Sequence, residues 1–294
     1  SYNTINNNNG GGINHQGHLM GIYCFAAASG NITVSDNSVS IHGGGNTHFI
    51  YGIIVNTLTP AGNTANIKNN NVTGDYLTAT SGLFTGITVG FHTNIFFINN
   101  NVLNIEYGSL SLATTGVFTG ISVSGTNITA RLNTISNVSR KGNSGGTLEG
   151  LKVSGQNVIA SSNNVNNLSM EGTGGDGIFY GMQVGGAPLF CDSNNVHTLT
   201  NSKTAGTNAL YGIWTLGSST NENYNYNTVN SLSHSGTSAG IVAGINNVNS
   251  SSGTRIFSNN ILHSITSEGQ SAHGMNFSNA SQNIFKNKIY NITS

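Results

Sequence analysis

An asparagine recurs at a near-constant interval along the whole chain, and each time it stands two residues before an aliphatic side chain. These ten ladder asparagines are Asn3, Asn37, Asn70, Asn100, Asn133, Asn163, Asn194, Asn227, Asn260 and Asn287. By subtraction, successive members lie 27 to 34 residues apart and about 32 on average, a repeat length typical of solenoids. The sequence therefore predicts a single structural unit that is copied end to end over residues 1–294.

Each copy contains three short apolar segments, which in one repeat are residues 100–105, 118–123 and 128–132. Apolar and polar side chains alternate within the segments, and this period of two indicates β-strands. A chain with 40 glycines and no sustained period of 3.6 residues disfavours helix. The loop after the first strand is rich in Gly, Ser and Thr, and a tight turn at 124–127 is predicted between the second and third strands.

Strand direction follows from the turns. Asn-Gly, the dipeptide that favours two-residue hairpins, occurs once, at Asn9-Gly10. If each repeat instead makes one full turn, equivalent strands of successive repeats stack in parallel and like residues form ladders. We therefore predict an all-β fold, a right-handed parallel β-helix of about nine rungs with three short strands per rung.

Two columns of residues fit this architecture. The ladder asparagines fall where the third strand turns into the first. Stacked amides can form hydrogen bonds with one another along the axis. Asparagine also tolerates the left-handed backbone conformation that such a turn requires. A glycine column crosses the second strand, and the apolar residues before and after it are expected to point inward together because the strand bends or bulges there. Its members are Gly21, Gly52, Gly86, Gly120, Gly150, Gly181, Gly212, Gly244 and Gly274.

Composition restricts the possible partners. Charged residues are 6% of the chain and the formal net charge is zero, so no basic face is available to neutralise nucleic-acid phosphates. No apolar run approaches the roughly 18 residues that a membrane-spanning helix needs. We predict neither nucleic-acid binding nor membrane insertion.

The repeat motifs resemble a known family. Residues 133–138 read Asn-Thr-Ile-Ser-Asn-Val, residues 289–292 read Ile-Tyr-Asn-Ile, and Tyr-Gly-Ile occurs at 51–53 and 211–213. They look like the parallel β-helix repeats of very large bacterial surface proteins exported by the type IX secretion system. The resemblance implies a secreted, extracellular or cell-surface location and a stalk or adhesin role.

Polysaccharide-cleaving enzymes also use this architecture, and their sites need two or three carboxylates, or a carboxylate with a cation, on neighbouring rungs. The nearest such set is Asp75, Glu106, Arg140 and Lys141, which lie three to six residues after the aliphatic residue of their repeat. We expect all four to line one solvent-exposed edge as a strip of mixed charge. We predict no catalytic residue, no metal site and no cofactor; a lyase or hydrolase site at this edge is the alternative.

Aromatic residues flank the glycine column at Tyr180, Tyr211 and Trp214 and are expected to point outward on consecutive rungs. Exposed rings can stack on sugar faces, so a glycan-binding site is one interpretation, and stabilising contacts between rungs are the other.

The sequence as a whole predicts a non-enzymatic structural or adhesive stalk segment; a carbohydrate-active β-helix or a glycan-binding module is the alternative. The repeat stays in phase from Asn3 to Ile292 without a polar cap, and solenoids need caps. We therefore expect residues 1–294 to form one domain, an interior segment of a longer chain. Expected partners are a continuation of the solenoid or an end-to-end stacking copy, and possible further ones are surface glycans and the secretion machinery.

Overall fold

The computed structural model describes residues 3–7, 17–25, 30–56, 62–216, 221–236, 240–248, 252–268, 271–278 and 281–294. These residues contain no helix, and their strands pair in parallel as a β-solenoid of about 8 turns. The all-β parallel β-helix prediction is confirmed. The predicted count of about nine rungs is slightly higher than the observed 8 or so turns.

The strands alternate inward and outward side chains as the period of two predicts. In chain order they are β1 (Asn3–Asn6), β2 (Leu19–Cys24), β3 (Ile32–Ser35), β4 (Asn37–His42), β5 (Phe49–Val55), β6 (Thr64–Lys68), β7 (Asn71–Tyr76), β8 (Leu83–Ile98), β9 (Asn101–Tyr107), β10 (Val117–Arg131), β11 (Thr134–Lys141), β12 (Gly146–Ser161), β13 (Asn164–Glu171), β14 (Gly177–Gly185), β15 (Leu189–Asp192), β16 (Asn195–Asn201), β17 (Asn208–Thr215), β18 (Asn221–Asn225), β19 (Thr228–His234), β20 (Ile241–Asn247), β21 (Thr254–Ser258), β22 (Ile261–Ser267), β23 (Ser271–Phe277), β24 (Gln282–Phe285) and β25 (Lys288–Thr293).

Two parallel sheets enclose the core. The first sheet contains the first strand of each repeat, in the order β1-β4-β7-β9-β11-β13-β16-β19-β22-β25. The second sheet contains the second and third strands, with β2-β5-β8-β10-β12-β14-β17-β20-β23 as its main path. In β8, β10 and β12 these two strands run on as one, so residues 124–127, predicted as a tight turn, lie inside β10. Gly125 and Asn127 pair there in register with Gly155 and Asn157, which keeps the backbone extended.

The ladder asparagines form a continuous column of side-chain hydrogen bonds. Nine bonds join all ten residues, each from Nδ2 to Oδ1 of the next turn, at 2.8–3.2 Å. The eight members from Asn37 to Asn260 are buried. The same Oδ1 atoms also accept backbone N–H groups, so the column satisfies the polar groups of a corner that water does not reach. The predicted asparagine ladder is confirmed.

The sequence predicts that the ladder asparagine itself takes the left-handed conformation, and this is wrong. The residue before it is the left-handed one. Positive φ values of 55–61° occur at Asp36, Asn69, Asn99, Leu132, Ser162, Ser193, Tyr226, Asn259 and Lys286. The preceding residue lies at the corner between the third strand and the next first strand, and the asparagine amide after it is buried and stacks. Asparagine is therefore required in the column for its hydrogen bonds and not for its backbone conformation. The left-handed position is occupied by side chains as different as Leu132 and Lys286.

The glycine column is explained by close approach. None of its nine members has a positive φ. A Cβ at Gly120, for example, would lie 2.6 Å from the carbonyl oxygen of Gly150 and 2.9 Å from Cγ2 of Ile135 on the first sheet. Phe118 and Ile121, on either side of this glycine, are both fully buried, as predicted. The glycines allow the two sheets to meet across a thin core.

Candidate functional site

The predicted charged edge is only partly assembled. Asp75 and Glu106 are register partners on β7 and β9 with outward side chains, and Lys141 is half-buried at the end of β11. Arg140 is fully buried, so the expectation that all four residues share one exposed edge is wrong for Arg140. It follows Val138 by two residues and therefore points inward, in line with Tyr107.

Backbone carbonyls, rather than carboxylates, surround the buried Arg140. Its Nη2 donates to the carbonyl oxygens of Thr114, Gly116 and Gly145 at 2.9, 3.1 and 3.0 Å, and its guanidinium lies 6.0 Å from the centre of the Tyr107 ring. Burial lowers the pKa of Arg140 to about 10. The side chain therefore fastens loops that follow the first sheet, which is a structural task.

Lys203, which follows its strand at the position of the charged edge, is likewise fully buried and has the same role two turns further on. Its Nζ donates to the carbonyl oxygens of Gly174, at 2.8 Å, and of Ser144. Burial, and secondarily the nearby Arg140 charge, lowers the pKa of Lys203 to about 8. Because the carbonyls belong to earlier repeats, only the assembled stack brings them to the ammonium group.

A buried pair of oppositely charged residues lies near the C-terminal end of the described solenoid. Glu222 and Arg255 are both inaccessible, with Nε and Oε2 3.7 Å apart, and Asn247 donates to the same carboxylate oxygen at 2.5 Å. Burial raises the pKa of Tyr224 well above its ordinary value, and Glu222 adds to this effect. These residues replace apolar core positions by a compact polar network.

The three predicted aromatic residues do lie together on consecutive turns. Tyr180 and Tyr211 stack with ring centres 5.6 Å apart, and Trp214 meets them at 5.5 and 4.5 Å. Tyr211 is only 9% exposed, whereas Tyr180 and Trp214 are half-buried. Burial, followed by Tyr180, raises the pKa of Tyr211 to about 12. The rings pack on one another, so the contacts expected from the stabilising interpretation are present.

A carboxylate with three hydrogen-bonded partners stands beside the aromatic rings. Glu149, the register partner of Tyr180, accepts from Thr119 at 2.9 Å, from Gln183 at 3.1 Å and from Lys152 at 3.0 Å. An amide, an ammonium and a carboxylate next to half-buried rings are groups that bind sugar hydroxyls. Whether a glycan binds there stays a prediction.

A shallow groove of about 590 Å³ opens on the outer face of the first sheet and includes Asp75 and Glu106. Asp75 contacts His42 of the preceding turn, with 2.7 Å between Oδ2 and Nδ1. The carboxylates and the imidazole are the titratable groups of this groove, which crosses five strands from β4 to β13.

No three His, Cys, Asp or Glu side chains among the described residues form a group suited to a metal ion. The same residues include no helix long and apolar enough to cross a membrane. Comparison with protein-family models, with curated proteins and with solved structures found no match to this chain.

Proposed function

We propose that the chain is a structural or adhesive stalk segment of a secreted cell-surface protein. The observation that carries this proposal is the uninterrupted ladder of ten asparagines, which links the described turns to one another along the axis. A rod of stacked turns is suited to holding binding surfaces away from an anchor. The resemblance to bacterial surface repeats supports an extracellular location and export by the type IX secretion system.

The last turn supports a partner that continues the rod. Ile284 and Ile289 are 49% and 45% exposed, although their register partners Phe257 and Leu262 are fully buried. Among the described strands, β24 pairs only with β21 and β25 only with β22, so each has one open edge beside these apolar side chains. Such an end is covered when a further turn stacks on it, from the same protein or from a second copy of this chain.

We expect the isolated chain to associate end to end as its concentration rises, and the double substitution Ile284→Lys with Ile289→Lys to keep it monomeric. Lysines at these positions place charges where the next turn would pack. Sedimentation velocity over a hundredfold concentration range measures the association of both proteins. Tyr290→Lys, which changes the outer face of β25, is the matched control and should still associate. A wild-type chain that remains monomeric throughout would contradict the stacking proposal.

Glycan binding at Tyr180, Tyr211 and Trp214 is the second candidate function, favoured by the Glu149 network beside the half-buried rings. We expect Trp214→Ala to reduce retention on a glycan array about tenfold or more, as expected when a stacking contact worth 1.4 kcal/mol or more is lost. Phe190→Ala removes a ring that is 40% exposed, on β15 and away from the Glu149 network, and should have no effect. Equal retention of the two variants would argue against this site.

A further inference from the structure

Ser40, His42 and Asp75 form a connected hydrogen-bonded set in the groove of the first sheet. Ser40 Oγ lies 3.1 Å from His42 Nε2, and His42 Nδ1 lies 2.7 Å from Asp75 Oδ2. An ionised carboxylate only accepts hydrogen bonds, so Nδ1 of His42 donates, and in the neutral imidazole Nε2 then accepts the Ser40 proton. This connectivity allows a histidine to activate a serine nucleophile.

The side-chain amide of Asn7 and the close approach of β7 hold the backbone of this set in place. Asn7, one turn earlier, donates to the carbonyl of His42 at 3.0 Å and accepts from its N–H at 2.7 Å. On the other side, β7 approaches β4 so closely at Gly74 that a Cβ there would overlap the carbonyl oxygen of Ile41. The register shift of β7 against β9 begins at this glycine. The close approach brings Asp75 within hydrogen-bond distance of the ring, and bulges of this kind are frequent beside active sites.

The groove around this set has room and donors for a substrate. It extends over five strands, about 19 Å at roughly 4.8 Å per strand, and hydroxyls and amides of Ser, Thr and Asn form most of its lining. Asn104 lines it and accepts from Asn137 at 2.9 Å through Oδ1, while its Nδ2 has no acceptor among the described residues. This amide can donate to a polar group of a substrate that lies across the groove. Asp75 and Glu106 repel anionic substrates.

We propose that Ser40, His42 and Asp75 hydrolyse carboxylic esters carried by an uncharged polysaccharide. Ser40 Oγ bonds to the ester carbonyl carbon while its proton moves to His42 Nε2. The carbon–oxygen bond to the sugar breaks, and the sugar oxygen takes the proton from His42. Water, deprotonated by His42, then attacks the acyl group on Ser40, which releases the carboxylic acid and returns the proton to Ser40. Ester and water are consumed, and acid and alcohol are formed.

This activity goes beyond the structural role. It departs from the non-enzymatic expectation drawn from the sequence and leaves the stalk, stacking and glycan-binding proposals unchanged, since Ser40 is remote in sequence from β25 and from the aromatic cluster.

The test uses the full chain with 4-nitrophenyl acetate and with acetylated xylan, together with a fluorophosphonate that labels activated serines. We expect release of 4-nitrophenolate and acetate, and one covalent label on Ser40 by mass spectrometry. Ser40→Ala should lower the rate by roughly 10³-fold or more and abolish the label, and Asp75→Asn should lower the rate by a comparable factor while Ser40 stays in place. Both residues are on the outer face, so the urea midpoints should change little.

Ser38→Ala is the matched control, because Ser38 lies two residues earlier on the same face of β4 and outside the groove. It should retain the wild-type rate and the label. Absence of turnover in the wild type, equal rates in Ser38→Ala and Ser40→Ala, or a label on another serine would each overturn the proposal. End-to-end association of the Ser40→Ala chain would show that the structural role stands independently of this result.

Discussion

Replacing Asn133 with alanine is expected to lower the free energy of unfolding by about 3–5 kcal/mol, since each buried polar group left without a partner costs roughly 1–3 kcal/mol. Asn133 is fully buried in the middle of the ladder. Its Nδ2 donates to Oδ1 of Asn163 at 2.9 Å and to the carbonyl of Phe97 at 3.1 Å, while its Oδ1 accepts the backbone N–H of Asn100 at 2.9 Å. Removing the amide deprives groups on both neighbouring turns of their partners at once.

Urea denaturation followed by circular dichroism measures this loss. Asn157→Ala is the matched control, because Asn157 ends a second amide column on the outer face, where water can replace its bond to Asn127. Its cost should stay below about 1 kcal/mol. Equal losses for the two variants would mean that the ladder contributes no more than a surface hydrogen bond.

Gly120→Ala should destabilise the chain by about 3 kcal/mol or more, at the upper end of what overpacking usually costs. The new methyl group would lie 2.6 Å from the carbonyl oxygen of Gly150, which belongs to the paired strand and cannot rotate away. Relief requires separation of β10 from β12 or of the two sheets. The free energy of unfolding in urea is again the measured quantity.

Gly30→Ala provides the control for the intrinsic effect of the extra methyl group. No atom of the described residues lies within 4 Å of a Cβ placed there, and we expect a change within about ±0.5 kcal/mol. If Gly120→Ala changed the free energy of unfolding as little as Gly30→Ala, close contact between the sheets would not explain the glycine column.

Much of the fold can be predicted from the sequence because the repeat places the same physical requirement at the same position in each turn. A buried corner needs an amide that both donates and accepts, and a thin core needs a residue without a side chain; asparagine and glycine mark these positions. The left-handed corner position has no characteristic residue type in the sequence, since Asn99, Leu132 and Ser162 all occupy it. The sequence does not predict the continuous strands β8, β10 and β12. Gly125 of β10, which was expected in a turn, pairs instead with Gly155 of β12.

The candidate site was harder to predict. The spacing of 33 residues between His42 and Asp75 matches one repeat, so their proximity follows from the register. The bonds of Asn7 to the His42 backbone and the close approach at Gly74 do not follow from the repeat. The alternation Val138, Arg140 would have placed Arg140 inside the core. The carbonyls that bind it come from loops whose course the repeat does not specify.

Disulfide trapping between neighbouring turns tests the parallel, in-register stack most directly. Ser136 and Asn166 are register partners on β11 and β13, and parallel partners about 4.8 Å apart fall within the range that a disulfide bridges. Cys24→Val and Cys191→Ala, which copy the aligned residues Val55 and Ala160, provide the background. Ser136→Cys with Asn166→Cys should then oxidise rapidly to an intramolecular disulfide, whereas Ser136→Cys with Asn164→Cys, two residues out of register, should not. Equal oxidation of the two pairs, or oxidation of only the second, would contradict the stacked solenoid.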